Sequence, residues 1–128
     1  MTEMTELAER FCKGIEAGDI EVVKECYSPD VVVWHNFDRR DQSRDENLAS
    51  LAWFLDRVEA LRYEEVRRVV HAEGFVQQHI LRGRTPAGVE LEAPVCLVAE
   101  VAGGRITRLE EYLDSAQLAA LAAAGPGA

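Results

Sequence analysis

Two histidines and one glutamate give this 128-residue chain its candidate chemistry. His35 directly follows the β-branched run Val31-Val32-Val33-Trp34. An unperturbed imidazole titrates near pH 6.5, so at neutral pH it can both take and give a proton. His79 lies in Phe75-Val76-Gln77-Gln78-His79-Ile80-Leu81, where period-two alternation puts Gln77, His79 and Leu81 on one face. That face is either the polar wall of a cavity or a solvated outer surface. Glu111 shares a strand face with Leu109 and Leu113, while Glu110, Tyr112 and Asp114 share the other. A carboxylate set among leucines is partly desolvated, which suits a general acid or base. The competing account pairs Glu111 with Arg68, Arg82 or Arg84 and gives it only a structural role. Asn36, beside His35, can orient a ligand or a water through hydrogen bonds.

Around these groups, Trp34, Trp53, Phe54 and Phe75 are candidates for an apolar cavity wall, with core packing as the alternative. Leu113 and Cys96 join the candidate ligand contacts. No basic residue adjoins Cys96 to lower its pKa, so it is expected as a buried thiol and not as a nucleophile. His71, beside Glu73-Gly74, reads as a surface turn. Positions 35, 71 and 79 match no histidine ligand spacing, and no metal site is expected. Asp114 precedes Ser115-Ala116-Gln117 and reads as a helix cap.

The elements that must position these residues fall into two halves. Leu7, Phe11 and Ile15 recur every four residues as the stripe of a first helix, which Gly18 ends. Asp19 caps a second helix carrying Val22, Val23 and Cys26. Ser28-Pro29-Asp30 reads as a turn before a strand over Val31–Trp34. Phe37 to Gln42 reads as loop. Ser43 and Glu46 form a capping box for a helix with Leu48, Leu51, Leu55 and Val58 on its stripe. Four strands follow: Tyr63–His71, Phe75–Leu81, Val89–Val101 and Ile106–Leu113. Glu73-Gly74, Thr85-Pro86-Ala87-Gly88 and Gly103-Gly104 turn the chain between them. Short turns make consecutive strands antiparallel. Pro94 demands an edge or a bulge. Ser115 to Ala124 reads as a short helix, with a loose tail from about 123 to 128. The expectation is one α+β domain over 1–128, a strongly curved antiparallel sheet with helices over its concave face and one internal pocket.

Composition narrows the partners. The hydrophobic fraction of 48% and charged fraction of 29% are those of a globular chain. No apolar run reaches the roughly 18 residues of a membrane span, and no signal-like start is present. Fourteen basic against twenty-three acidic residues leave a net charge of −9. Such a chain is repelled by nucleic acid and anionic lipid. Cys12, Cys26 and Cys96, an odd and scattered set, suit a reducing, cytoplasmic setting.

This order of elements, with Ala17-Gly18-Asp19, Tyr27-Ser28-Pro29-Asp30-Val31 and Gly104-Arg105-Ile106, resembles the nuclear-transport-factor-2-like superfamily. The ending Ile106-Thr107-Arg108-Leu109-Glu110-Glu111-Tyr112-Leu113-Asp114 is similar to its SnoaL-like branch, and the likeness runs from about Glu6 to Leu121. The resemblance implies a cone-shaped pocket, with His35 at its opening and Leu109, Glu111 and Leu113 facing in. It also implies a homodimer. Ketosteroid isomerases of the superfamily need a tyrosine and two acids where this chain has Phe11, His35 and Cys96, although Ala93-Pro94 is kept. Their mechanism is not expected here, because Phe donates no hydrogen bond and a thiol donates weakly. Epoxide hydrolases need Tyr-x-Asn and Arg-x-Asp, where this chain has Trp34-His35-Asn36 and His79-Ile80-Leu81. The polyketide cyclases fit best, with Glu111 and His79 in the catalytic places.

The function expected on these grounds is cofactor-free acid–base chemistry of cyclase, isomerase or epoxide-hydrolase type on a small, apolar, oxygenated molecule. Glu111, His35 and His79 would be catalytic. Asn36, Trp34, Trp53, Phe75, Cys96 and Leu113 would bind the ligand. The alternative is a non-catalytic binding or dimeric assembly domain of the same fold, since fold alone does not fix function.

Overall fold

Helix-ending signals set the first elements. In the computed structural model, which describes residues 2–119, α1 runs Glu3–Ala17. The Thr2 side chain accepts from the Thr5 amide, and Gly18 closes the helix at φ 71°. Only glycine takes that left-handed conformation without strain. Asp19 accepts from the Val22 amide and opens α2, Ile20–Cys26. The chain then extends into β1, Tyr27–His35.

The expected turn at Ser28-Pro29-Asp30 lies inside β1. Pairing to the last strand jumps there from Tyr27↔Ile106 to Val32↔Arg108. Proline lacks the amide proton that a continuous ladder needs, so the segment bulges instead of turning. Residues 37–42, expected as loop, include the two-residue strand β2, Asp41–Gln42. The capping box of Ser43 and Glu46 is present and starts α3, Arg44–Leu55. Val58, expected on that helix, lies beyond its end.

The remaining strands are β3 (Glu59–His71), β4 (Gly74–Arg84), β5 (Glu90–Ala102) and β6 (Arg105–Leu113). They form an antiparallel meander in a six-stranded sheet of order β2-β1-β6-β5-β4-β3. The sheet is mixed rather than wholly antiparallel, because β1 lies parallel to β6. No tight turn joins those two strands; a helix and four strands intervene. The sheet is curved and does not close on itself.

Pro94 sits between neighbours without a bulge. The β4–β5 register runs continuously through Ile80↔Pro94, whereas β6 pairing starts only at Val95↔Leu113. The proline therefore occupies a stretch of β5 with a partner on one side, and alternation is kept. Ala93, Val95, Leu97 and Ala99 are all buried on the inner face. Two further register shifts fall on the edge strand β3, where they flank Tyr63, and Ala60 and Glu65 take φ 55°. α1 covers the inner face, and Phe11, Tyr27, Phe75, Leu97 and Ile106 fill the core beneath it. A 3₁₀ turn, Ser115–Leu118, follows β6, capped by Asp114 accepting from the Ala116 amide. The rest of the helix expected to Ala124, and the tail, lie outside the described residues. No described helix is long and apolar enough to cross a membrane.

Gly74 shows how closely β4 approaches β5. A Cβ there would lie 1.9 Å from the Ala99 carbonyl oxygen. Gly74→Ala is expected to cost about 1–3 kcal/mol in urea unfolding, the usual range for overpacking. An unchanged midpoint would contradict this approach.

Candidate active site

The parallel ladder places the first strand's last residue beside the last strand. His35 and Glu111 are register partners, and the His35 Nε2 lies 3.2 Å from the Glu111 Oε1. Their side chains are 15% and 23% exposed, so water screens the pair only in part. The Asn36 side chain fixes the approach. Its amide nitrogen donates to the Leu113 carbonyl (3.1 Å), and its oxygen accepts from the Leu113 amide (3.0 Å). The Asn36 backbone amide also donates to the Glu111 carbonyl at 3.1 Å. Asn36 thus acts as a strand-end clamp and does not line the cavity.

Both members of the pair open onto a cavity of about 290 Å³. Its wall is largely apolar, with Phe11, Ile15, Val33, Leu51, Phe54, Leu81, Val95, Leu109 and Leu113 contributing. A polar strip crosses the wall near α3. Tyr27 donates to the Asn47 Oδ1 (2.8 Å), Asn47 to the Gln42 Oε1 (3.1 Å) and Gln42 to the Ser50 Oγ (3.0 Å). All four residues line the cavity, as do Asp38 and Tyr63. Among the described residues that line it there is no lysine or arginine. None of the described residues form a cluster of three or more His, Cys, Asp or Glu able to hold a metal ion.

The two histidines have opposite electrostatics. Burial alone would depress His35. The bond and charge of Glu111, with Asp38 adding to them, outweigh it and raise the His35 pKa above its ordinary value. His79 is 2% exposed, and burial pushes it down to about 4 despite the opposing charge of Glu111, with Arg68 adding to the fall. Its surroundings fix its tautomer. Arg68 can only donate, and its Nε gives a hydrogen bond to the Gln77 Oε1 at 2.9 Å. Gln77 therefore turns its Nε2 to the His79 Nδ1, also at 2.9 Å. The ring proton then sits on Nε2, which has no partner among the described residues. Tyr63 stacks on the imidazole, with ring centres 3.8 Å apart and planes 13° apart.

The sequence-derived candidates thus separate. His35, Glu111, Leu113 and Trp53 line the cavity. Trp53 is 44% exposed, and the Arg57 guanidinium lies over its ring, 4.2 Å from the centre. His79 shares the inner face but lies behind Tyr63, and at neutral pH it carries no proton to give as an imidazolium. Trp34 points to the opposite face of β1 and packs on Tyr112 at 5.3 Å, because Val33 and His35 take the inward positions. Cys96 pairs with Gln78 and Tyr112 on that same outer face, between inward Val95 and Leu97. Phe75 is fully buried core and lines no part of the cavity. None of the three arginines considered for Glu111 reaches it. Arg68 holds Gln77, Arg82 pairs with Glu64, Glu65 and Glu92, and Arg84 pairs with Glu59.

Five polar wall residues escaped the sequence reading: Tyr27, Gln42, Asn47, Ser50 and Tyr63. Asn47 carried a usable signal, because it falls on the same helical face as Leu51 and Phe54. Tyr63 carried none, because the bulges that aim it arise at Ala60 and Glu65, where no glycine marks them.

The profile of the SnoaL-like domain family matches residues 8–109, most of the chain. The chain belongs to that family. The match includes His35 and His79 and stops two residues before Glu111. No curated protein sequence matches the chain. Among solved structures, PrhC from Penicillium brasilianum NBRC 6234 is similar with a TM-score of 0.81 at 17% identity, over 96% of this chain and 92% of that one. IdmH from Streptomyces antibioticus, a polyketide cyclase candidate, gives 0.81 at 16% identity over 95% and 99%. A SnoaL-like polyketide cyclase candidate from Shewanella putrefaciens CN-32 gives 0.81 at 12% identity over 97% and 98%. At these identities the likeness is one of fold.

Two measurements check the site. Asn36→Ala is expected to cost about 1–3 kcal/mol, since it leaves the Leu113 backbone groups unpaired. For His79 the folded pKa lies below the unfolded one, so its contribution is whole above about pH 6.5 and is lost as pH falls toward 4. Between pH 7 and 5, urea unfolding of the wild type should lose about 2 kcal/mol more than that of His79→Gln. Equal losses would show that His79 is not held neutral.

Proposed function

We propose that this SnoaL-like domain is a cofactor-free acid–base enzyme of the cyclase or isomerase kind. The observation that carries the reading is the His35–Glu111 pair on the wall of an otherwise apolar cavity. Glu111 takes a proton from the substrate and returns it elsewhere. His35, whose pKa Glu111 raises, lies beside the carboxylate and orients it between turnovers. A histidine perturbed by a carboxylate partner in a cleft is a functional signal. Here the pair faces the cavity instead of bracing the outer surface.

The wall describes the substrate. A cavity of about 290 Å³ lies at the small end of ligand sites and takes a compact molecule. Its apolar lining favours rings or short chains, and the lack of a lining lysine or arginine among the described residues disfavours carboxylates and phosphates. The strip of Tyr27, Asn47, Gln42 and Ser50 suits a carbonyl or hydroxyl group. The substrate class is thus a small, neutral, oxygenated and mainly apolar compound.

A panel of compact β-dicarbonyl compounds, polyketide-like aromatic ketones and epoxides tests this reading. On any compound converted, Glu111→Gln is expected to lower kcat by about 10²–10⁴-fold with little change in melting temperature. Full turnover by the variant would remove Glu111 from the mechanism. Tight binding of such compounds without conversion would favour the non-catalytic binding domain.

A further inference from the structure

A base that removes a proton from carbon next to a carbonyl leaves negative charge on the carbonyl oxygen, and that charge needs a hydrogen-bond donor. Two phenols line the cavity together with Glu111. The charge of Glu111 acts on both Tyr27 and Tyr63, so all three share one chamber. Tyr27 is already committed, because its hydroxyl donates to the Asn47 Oδ1 at 2.8 Å. That acceptor is held in turn, because the Asn47 amide nitrogen donates to Gln42.

Tyr63 differs in three respects. First, it lines the cavity, and among the described residues its hydroxyl has no acceptor. Second, its ring is fixed from behind. The chain of Arg68, Gln77 and His79 ends in an imidazole whose face lies against the phenol ring. Third, the backbone is bent to bring it there. Register shifts lie on both sides of Tyr63, and the non-glycine residues Ala60 and Glu65 hold φ 55°. Such positions cost free energy and cluster where a side chain must be aimed.

We propose that Tyr63 is a catalytic hydrogen-bond donor that stabilises an enolate oxygen opposite Glu111, with His79 as its positioning residue. The inference rests on the acid–base reading of Glu111 and names the substrate class further: a ketone with an acidic α-C–H bond. In the step, the Glu111 carboxylate takes the α-proton. The C–H electron pair forms a C=C bond, and the C=O π pair moves onto oxygen. Tyr63 keeps its proton and donates a hydrogen bond to that oxygen. The proton on Glu111 then returns to carbon, so no other reactant is consumed. Burial, then the charge of Glu111, hold the Tyr63 phenol protonated well above the ordinary tyrosine range. The neutral imidazole beneath it brings no positive charge that would reverse this.

The test uses 2-tetralone in deuterated buffer, with loss of its C1 proton signal followed by NMR. It compares wild type, Glu111→Gln and Tyr63→Phe. Phe keeps the ring and its stack on His79, and a thermal melt matched to wild type shows that the fold is retained. The expected result is wild-type exchange well above buffer, Glu111→Gln at the buffer rate, and Tyr63→Phe slowed about 10²–10³-fold in kcat with KM nearly unchanged. Wild-type kcat in Tyr63→Phe, with Glu111→Gln inactive, would overturn the role of Tyr63 and leave the base intact. A raised KM at unchanged kcat would do the same, because it describes a binding contact only. Wild type and Glu111→Gln exchanging alike, at the buffer rate or above it, would overturn the base and this inference together.

Discussion

The parallel ladder between β1 and β6 is the constraint on which the site depends. It joins the first and last strands of the chain, and its final rung sets His35 against Glu111. Neither residue has a partner of this kind in its own half of the sequence. The Asn36 side chain extends the ladder by one imitation rung to Leu113, just where backbone pairing ends. Were β1 shifted by one residue, Trp34 would face the cavity and His35 the outer surface, since successive side chains alternate. The bulge at Ser28-Pro29-Asp30 absorbs the mismatch between the two strands and lets the upper rungs fall into step.

Environment divides the labour between two chemically identical side chains. His35 gains a carboxylate, and His79 gains an amide donor and an aromatic face. The first is raised, so its contribution to stability is present below its unfolded pKa and is lost as pH rises through the higher folded value. The second is lowered and behaves in the reverse sense. One histidine can carry charge beside Glu111 while the other stays a neutral platform for Tyr63. The apolar cavity wall sharpens both effects by keeping the local dielectric low.

Local signals mark the element boundaries where caps or left-handed glycines punctuate the chain. Gly18, Asp19 and the Ser43–Glu46 box all act as their residue types dictate. Alternation correctly groups Gln77 with His79, and Glu111 with Leu113. It also implies that Trp34 cannot share a face with His35, nor Cys96 with Val95 and Leu97, so their outward positions follow from the same rule. Three features needed the folded chain. The β1–β6 pairing is non-local and parallel, and no turn announces it. Pro94 keeps parity because β6 stops short of it. The bulges that aim Tyr63 sit at an alanine and a glutamate, residues that carry no turn signal.

Glu111 raises the pKa of His35 at the cavity wall. An NMR titration of the His35 imidazole, in wild type and in Glu111→Gln, measures this directly. The structure predicts a midpoint above the ordinary 6.5 in the wild type. It predicts a clear fall in the variant, where burial acts without its main counterweight. A wild-type midpoint below 6.5, or the same midpoint in both proteins, would contradict it.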